Sequence, residues 1–326
     1  MLMNEREIPE TRSSLGLIQR YTQSGAFAEV FTPGEKANCD LRVSYVSNTP
    51  GKIITKAKDF NFSFGSITLK TGAVFKRFNN NKIDLNKSEE FEVIQDFDLI
   101  VKNPTDSPKY FMIMYNFSFN NKDDAIFSSR LSLNGKKELI SNSSVGSVMD
   151  IGVHNGNIYS LRPGDTKVQI EYKFSGESKT LAEVTDNKYS QGIYAFELPQ
   201  DADINLYKMD RSISLNTNNS WKPMGIDAKF TLATKKTAFI IYHINVKTDK
   251  KSFNARLRIN NTFNKKSIII TEGLNYAYAH AYVAKVMKPG QYNLDLEYLS
   301  DSTNNFSPEL GDLNGESIYM QVVLLD

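Results

Sequence analysis

Along most of the chain, apolar and polar residues alternate one by one. Lys167-Val168-Gln169-Ile170-Glu171-Tyr172-Lys173-Phe174 is the clearest run. Successive side chains of a β-strand point to opposite faces, so this pattern predicts a strand with one face buried and the other wet. The same signal predicts strands near residues 60–64, 97–101, 130–133, 193–198, 229–232, 256–259, 293–298 and 318–324. Clusters of Gly, Asn, Asp and Pro separate them, as tight antiparallel connections require. Two segments break the alternation. Tyr110-Phe111-Met112-Ile113-Met114-Tyr115 and Ala238-Phe239-Ile240-Ile241-Tyr242 are continuously apolar, so both faces of each must be covered. In a two-layer sandwich the second cover has to be a sister domain, a loop or another subunit.

These two segments also open an internal repeat. Phe127-Ser-Ser-Arg-Leu-Ser-Leu-Asn134 matches Phe253-Asn-Ala-Arg-Leu-Arg-Ile-Asn260, and Pro163-Gly164 followed by Val168-Gln-Ile-Glu-Tyr172 matches Pro289-Gly290 followed by Leu294-Asp-Leu-Glu-Tyr298. Ile193-Tyr194 then matches Ile318-Tyr319, and the offset stays near 126 residues throughout. One register held this long predicts two copies of one sandwich, with the boundary near Pro199. In the second copy, strands are expected near residues 204–209, 212–215, 229–232, 238–246, 256–259, 267–271, 277–287 with a break, 293–298 and 318–324. About eight strands per copy is the count of a jelly roll. An immunoglobulin-like sandwich has fewer strands and often a Cys, Trp, Cys core, which is missing here. The expected fold is therefore all-β: two tandem eight-stranded antiparallel jelly-roll sandwiches, residues 41–199 and 200–326, behind a short N-terminal arm, residues 1–40.

Within the arm, Ser13 or Ser14 can cap a short amphipathic turn carrying Leu15, Leu17, Ile18 and Tyr21. Gly25 and Pro33-Gly34 then mark a loop. Through Lys36 the arm has four basic residues against five acidic ones, which does not suit a tail that neutralises nucleic acid. The whole chain is nearly neutral as well, with 39 Lys plus Arg against 37 Asp plus Glu over 326 residues. No stretch approaches the ~20 apolar residues that cross a bilayer as a helix, and the N-terminus has no apolar run of the signal-peptide kind. Lone Cys39 excludes an intrachain disulfide framework and any multi-Cys metal site, so a reducing compartment is expected. Asn is abundant, at 31 residues. Sequons at Asn61, Asn86, Asn116, Asn142, Asn218, Asn260 and Asn305 follow from that abundance rather than from glycosylation.

Catalytic signals are sparse. Of the three histidines, His154, His243 and His280, the last two lie in apolar strand segments, where packed histidines are expected, and neither has a carboxylate or second His at metal-ligand spacing. Glu171 and Glu297 are equivalent in the repeat, which invites a paired-carboxylate reading. Each occupies a polar position of a different copy, so a solvated face or an interface ion pair is expected instead. Asp96 and Asp123-Asp124 lack the spacing of a calcium loop. Trp221 with Tyr276, Tyr278 and Tyr282 is a candidate sugar-stacking platform, although core and interface use of such aromatics is the expected role. No catalytic residue, cofactor or metal is expected.

Two tandem jelly rolls behind a short arm, with no catalytic motif, resemble the double jelly-roll major capsid proteins of tailless, membrane-containing icosahedral bacteriophages. The resemblance covers residues 40–326 and is one of architecture. It implies a homotrimer whose six jelly rolls form a pseudo-hexameric block, contacts with neighbouring trimers and a penton protein, an arm near the viral lipid membrane, and no direct nucleic-acid contact. It also implies synthesis in the host cytoplasm and residence in the virion. Candidate assembly contacts are Leu15, Ile18, Arg20 and Tyr21 in the arm, with Tyr110, Met112, Met114, Phe239 and Ile241 on the continuously apolar strands. Rival readings are a tandem carbohydrate- or receptor-binding protein, a trimeric ligand of the tumour-necrosis-factor or complement kind, and a sugar-degrading enzyme.

Overall fold

The computed structural model describes residues 2–3, 6–7, 41–42, 73–77, 83–120, 125–138, 141–145, 151–175, 182–184, 192–263, 269–271, 275–307 and 317–326. All its regular elements are strands in antiparallel sheets. Near the N-terminus β1 (Leu2–Met3), β2 (Arg6–Glu7) and β3 (Leu41–Arg42) form a small sheet. The expected turn around Ser13 and the strand at 60–64 fall outside the described residues, as do Leu15, Ile18, Arg20 and Tyr21.

The first sandwich contains β4 (Ala73–Arg77), β5 (Ile83–Leu85), β6 (Ser88–Asn103), β7 (Lys109–Asn120), β8 (Ala125–Leu133), β9 (Lys136–Lys137), β10 (Ser141–Val145), β11 (Ile151–Leu161), β12 (Gly164–Ser175), β13 (Ala182–Val184) and β14 (Gly192–Glu197). One sheet runs β4-β14-β7, with β11 on the far side of β7 and the short β13 and β5 extending it; the other runs β10-β8-β12-β6, with β9 on β8. Setting aside the short β5, β9 and β13, the sheet orders are first-eighth-third-sixth and fifth-fourth-seventh-second. That interleaving is the jelly roll.

The second sandwich repeats it with β15 (Asp203–Lys208), β16 (Ile213–Asn216), β17 (Lys222–Pro223), β18 (Ala228–Leu232), β19 (Lys236–Lys247), β20 (Phe253–Ile259), β21 (Thr262–Phe263), β22 (Ile269–Thr271), β23 (Tyr276–Met287), β24 (Gly290–Phe306) and β25 (Ser317–Leu325). Here β15-β25-β19-β23 is one sheet, and β24 joins β16, β17 and β18 to β20, β21 and β22 in the other. The break expected within residues 277–287 does not occur. β23 runs unbroken because β19 pairs with it from Lys236 to Lys247.

Alternation places the cores. Val168, Ile170, Tyr172 and Phe174 of β12 pack inward with Phe97, Phe127, Leu131 and Ile193, while Lys167, Gln169, Glu171 and Lys173 take the other face. The second core repeats the arrangement with Leu294, Leu296 and Tyr298 against Leu257, Tyr242 and Met320. The turns after β8 and β20 repeat as well. Asn134 and Gly135 have φ of 50° and 80°, Asn260 and Asn261 of 47° and 63°, the left-handed pair that suits the twist of a two-residue hairpin. In each copy the leading Asn accepts a main-chain N–H through its Oδ1, from Lys167 at 2.7 Å and from Asn293 at 2.8 Å.

Candidate assembly interface

The continuously apolar strands are covered from within the chain. On β7, Phe111, Ile113 and Tyr115 enter the first core, and Met112 and Met114 point the other way. On β19, Ile240 and Tyr242 enter the second core, and Phe239 and Ile241 point out. These four outward side chains meet in one cluster with Ile158, Leu198, Val323 and Leu325, edged by Phe196, Ile204 and Tyr282. The outward faces of the β4-β14-β7-β11 and β15-β25-β19-β23 sheets therefore pack on each other, giving four layers with these two sheets inside. Gly156 belongs to this seam: a Cβ there would lie 2.5 Å from Met114 Cγ, so only glycine lets Met114 cross β11.

Ladder register shows how alike the two faces are. A row across the first inner sheet reads Phe75, Tyr194, Met114, Gly156. The matching row of the second reads Leu206, Gln321, Ile241, Tyr282. The two segments both end in a tyrosine that enters its core, Tyr115 and Tyr242, so the outward residues just before them, Met114 and Ile241, and with them these rows, are equivalent. The sequence repeat pairs Tyr194 with Tyr319, yet Tyr319 lies opposite His243, one row further on. β25 has slid by two residues relative to β14, and an even slip keeps every side chain on its face.

Polar groups are set into the seam. Gln321 Oε1 accepts from Ile158 N at 3.1 Å and Gln321 Nε2 donates to Ile158 O at 3.4 Å. One side chain thus satisfies both main-chain groups of an edge-strand residue across the two rolls. His243 and His280 face each other on paired strands, ring centroids 5.8 Å apart, with His243 stacked on Tyr319 at 4.8 Å and His280 edge-on to Tyr282 at 4.8 Å. Both are buried, the packed role the sequence predicts for them. Burial pushes the phenols of Tyr159, Tyr282 and Tyr319 up, so they remain neutral.

Each outer sheet holds a second repeated device. Arg130 Nε and Arg256 Nε donate to Glu171 Oε2 and Glu297 Oε2, both at 2.7 Å. Aromatic rings lie beneath the guanidiniums: Phe91 is 3.8 Å from Arg130, and Trp221 is 4.0 Å from Arg256. The two glutamates are thus taken up by arginines in separate sandwiches and do not form a carboxylate pair. Trp221 sits on an outer sheet, whereas Tyr282 stacks on Phe239 in the seam at 5.7 Å. The proposed aromatic platform is therefore split between layers. Asp96 has φ of 64° at an irregularity in β6; Asp123 and Asp124 lie outside the described residues. Among the described residues no three His, Cys, Asp or Glu side chains gather as a metal site.

Of the strand residues named as assembly contacts, Met112, Met114, Phe239 and Ile241 lie in the intrachain seam, and Tyr110 stands exposed beside it. Sequence reasoning did not single out Gln321, Arg130 or Arg256. The signal for Gln321 was a lone amide inside the apolar run Ile318-Tyr-Met-Gln-Val-Val-Leu324.

No protein-family model and no curated protein matches the chain. Among solved structures, similarity extends to a protein described as the STIV MCP, at 9% identity and TM-score 0.23 over 78% of this chain and 97% of that one. It extends also to VP2 of the infectious bursal disease virus subviral particle, at 8% identity and TM-score 0.24 over 81% and 74%. A further match is dimeric latent PorU from Porphyromonas gingivalis, at 9% identity and TM-score 0.27, where 64% of this chain spans 24% of that one. Scores this low carry nothing over to this chain, and its jelly-roll assignment rests on its own strand order.

Proposed function

We propose that the protein is a structural subunit of a virion shell, a major capsid protein that assembles as trimers. The observation that carries this reading is the fusion of two complete jelly rolls through a shared apolar seam. Such a chain presents two similar sandwiches at a fixed spacing, and three chains supply six of them, a pseudo-hexameric tile made by cyclic symmetry. The remainder of the reading is contact between trimers and a penton protein, an arm lying toward an internal lipid membrane, synthesis in the host cytoplasm, and a mechanical rather than catalytic role. A non-basic arm supports a shell that faces lipid rather than its genome. Against a sugar-binding reading stands the division of the aromatic residues between layers.

Particle mass tests this directly. Light scattering and electron microscopy of the purified chain should give a species of three times 36.9 kDa and closed shells under assembly conditions. A chain that stays single at every concentration and retains a glycan ligand would overturn the proposal.

A further inference from the structure

The faces that form the seam extend beyond it. In the first roll, Phe75 lies on β4 opposite Tyr194 and shares its outward face; in the second, Leu206 lies on β15 opposite Gln321. They head the two equivalent rows, and they are 44% and 49% exposed while their row neighbours Tyr194 and Gln321 are buried. Both belong to the first strand of their roll, which forms one margin of its inner sheet. Phe75 stacks on Tyr194 with ring centroids 6.4 Å apart, and two rolls whose sequences have drifted far apart thus each keep a large, half-exposed apolar side chain at the same position. A scattered exposed apolar residue needs no explanation, but a duplicated one continuous with a buried interface does.

We propose that these two margins, marked by Phe75 and Leu206, are where copies of this chain join. The occupant is a second copy because the margin continues an interface that this chain already makes with itself, roll against roll. Closing three chains into a ring requires that a patch on one side meet a different patch on the next chain. The two equivalent margins, one per roll, provide such a pair: the β4 margin of one chain seats against the β15 margin of its neighbour. The inference rests on the trimeric reading given above and assigns the surface it uses.

The test measures the mass of full-length Phe75→Asp, Leu206→Asp and the double variant by light scattering, with thermal unfolding as the control for folding. Phe75→Ser and Leu206→Ser serve if a charged variant does not fold. Each variant should fall threefold in mass, to a single chain, while still unfolding in one cooperative transition. Variants that keep the mass of the wild type overturn the inference and leave the trimeric reading standing. A wild-type chain that is itself single at all concentrations removes that reading, and the inference with it. Oxidising a mixture of Cys39→Ser/Phe75→Cys and Cys39→Ser/Leu206→Cys chains should link one of each; links between like chains alone would overturn the proposed seating.

Discussion

Arg130 and Arg256 occupy matching places, but their carboxylates are not equally supplied. Glu297 also has Arg258 Nη1 within 3.2 Å of its Oε1, whereas Arg130 is the arginine that holds Glu171, whose side chain is 12% exposed. Losing the partner of a buried charge costs about 3–5 kcal/mol, less where water reaches it. Arg130→Met should therefore lower the urea midpoint more than Arg256→Met, and an equal or reversed shift would refute this account. Asp295 behaves differently. Burial pushes its carboxyl up to about 6, against the pull of the Leu296 N–H, the Arg258 guanidinium and the Gly225 N–H. An unfolded Asp releases its proton near about pH 3.9, so across roughly pH 4 to 6 the folded chain holds a proton that the unfolded chain has lost. Stability then falls as pH rises through that window and stays lower above it. Asp295→Asn has no such proton to lose; its stability curve should be flatter and its midpoint at about pH 7.5 higher. A curve parallel to wild type would remove Asp295 as the source.

At the level of strands, the seam joins β11 of one roll to β25 of the other through Gln321. Replacing it with Leu keeps the volume but leaves Ile158 O without that partner, while Ile158 N keeps Asn157 Oδ1 at 3.0 Å. A buried unsatisfied group costs about 1–3 kcal/mol, so Gln321→Leu should lower the unfolding midpoint while the Ile158 amide hydrogen, still held by Asn157, stays protected from exchange. An unchanged midpoint would show that the Gln321 bond to Ile158 O adds nothing to stability. Much of this layer was legible in the sequence. Continuous apolarity at residues 110–115 and 238–242 announced covered second faces, and the repeat announced that the same strand of each roll was involved. Identity of the cover was not legible, because alternation says which residues share a face and nothing about what meets it. For the same reason Trp221 and Tyr282 looked like neighbours, although Trp221 lies against Arg256 of an outer sheet and Tyr282 belongs to an inner one. The two-residue slip of β25 was also hidden, since an even shift leaves the pattern of faces unchanged. Asn134-Gly135 did carry a readable hairpin signal, which a search for alternation passes over.

On the scale of the whole chain, two jelly rolls share one interior surface and act as a four-layer block. Its cost appears during synthesis rather than in the finished protein. The first roll is complete once β14 has emerged, yet among the described residues Met112, Met114, Ile158 and Phe196 of its outward face pack against residues of the second roll and the connection to it. At ribosomal speeds of about 5–20 residues per second, residues 203–325 take roughly 6 to 25 s to follow. For that interval a folded sandwich displays a naked apolar sheet to its surroundings. Ribosomes translating one message side by side bring such sheets together, and the second roll of one nascent chain can settle on the first roll of its neighbour. Crowded synthesis should therefore favour exchanged pairs of rolls, and a slow pause after residue 198 would make the exchange worse.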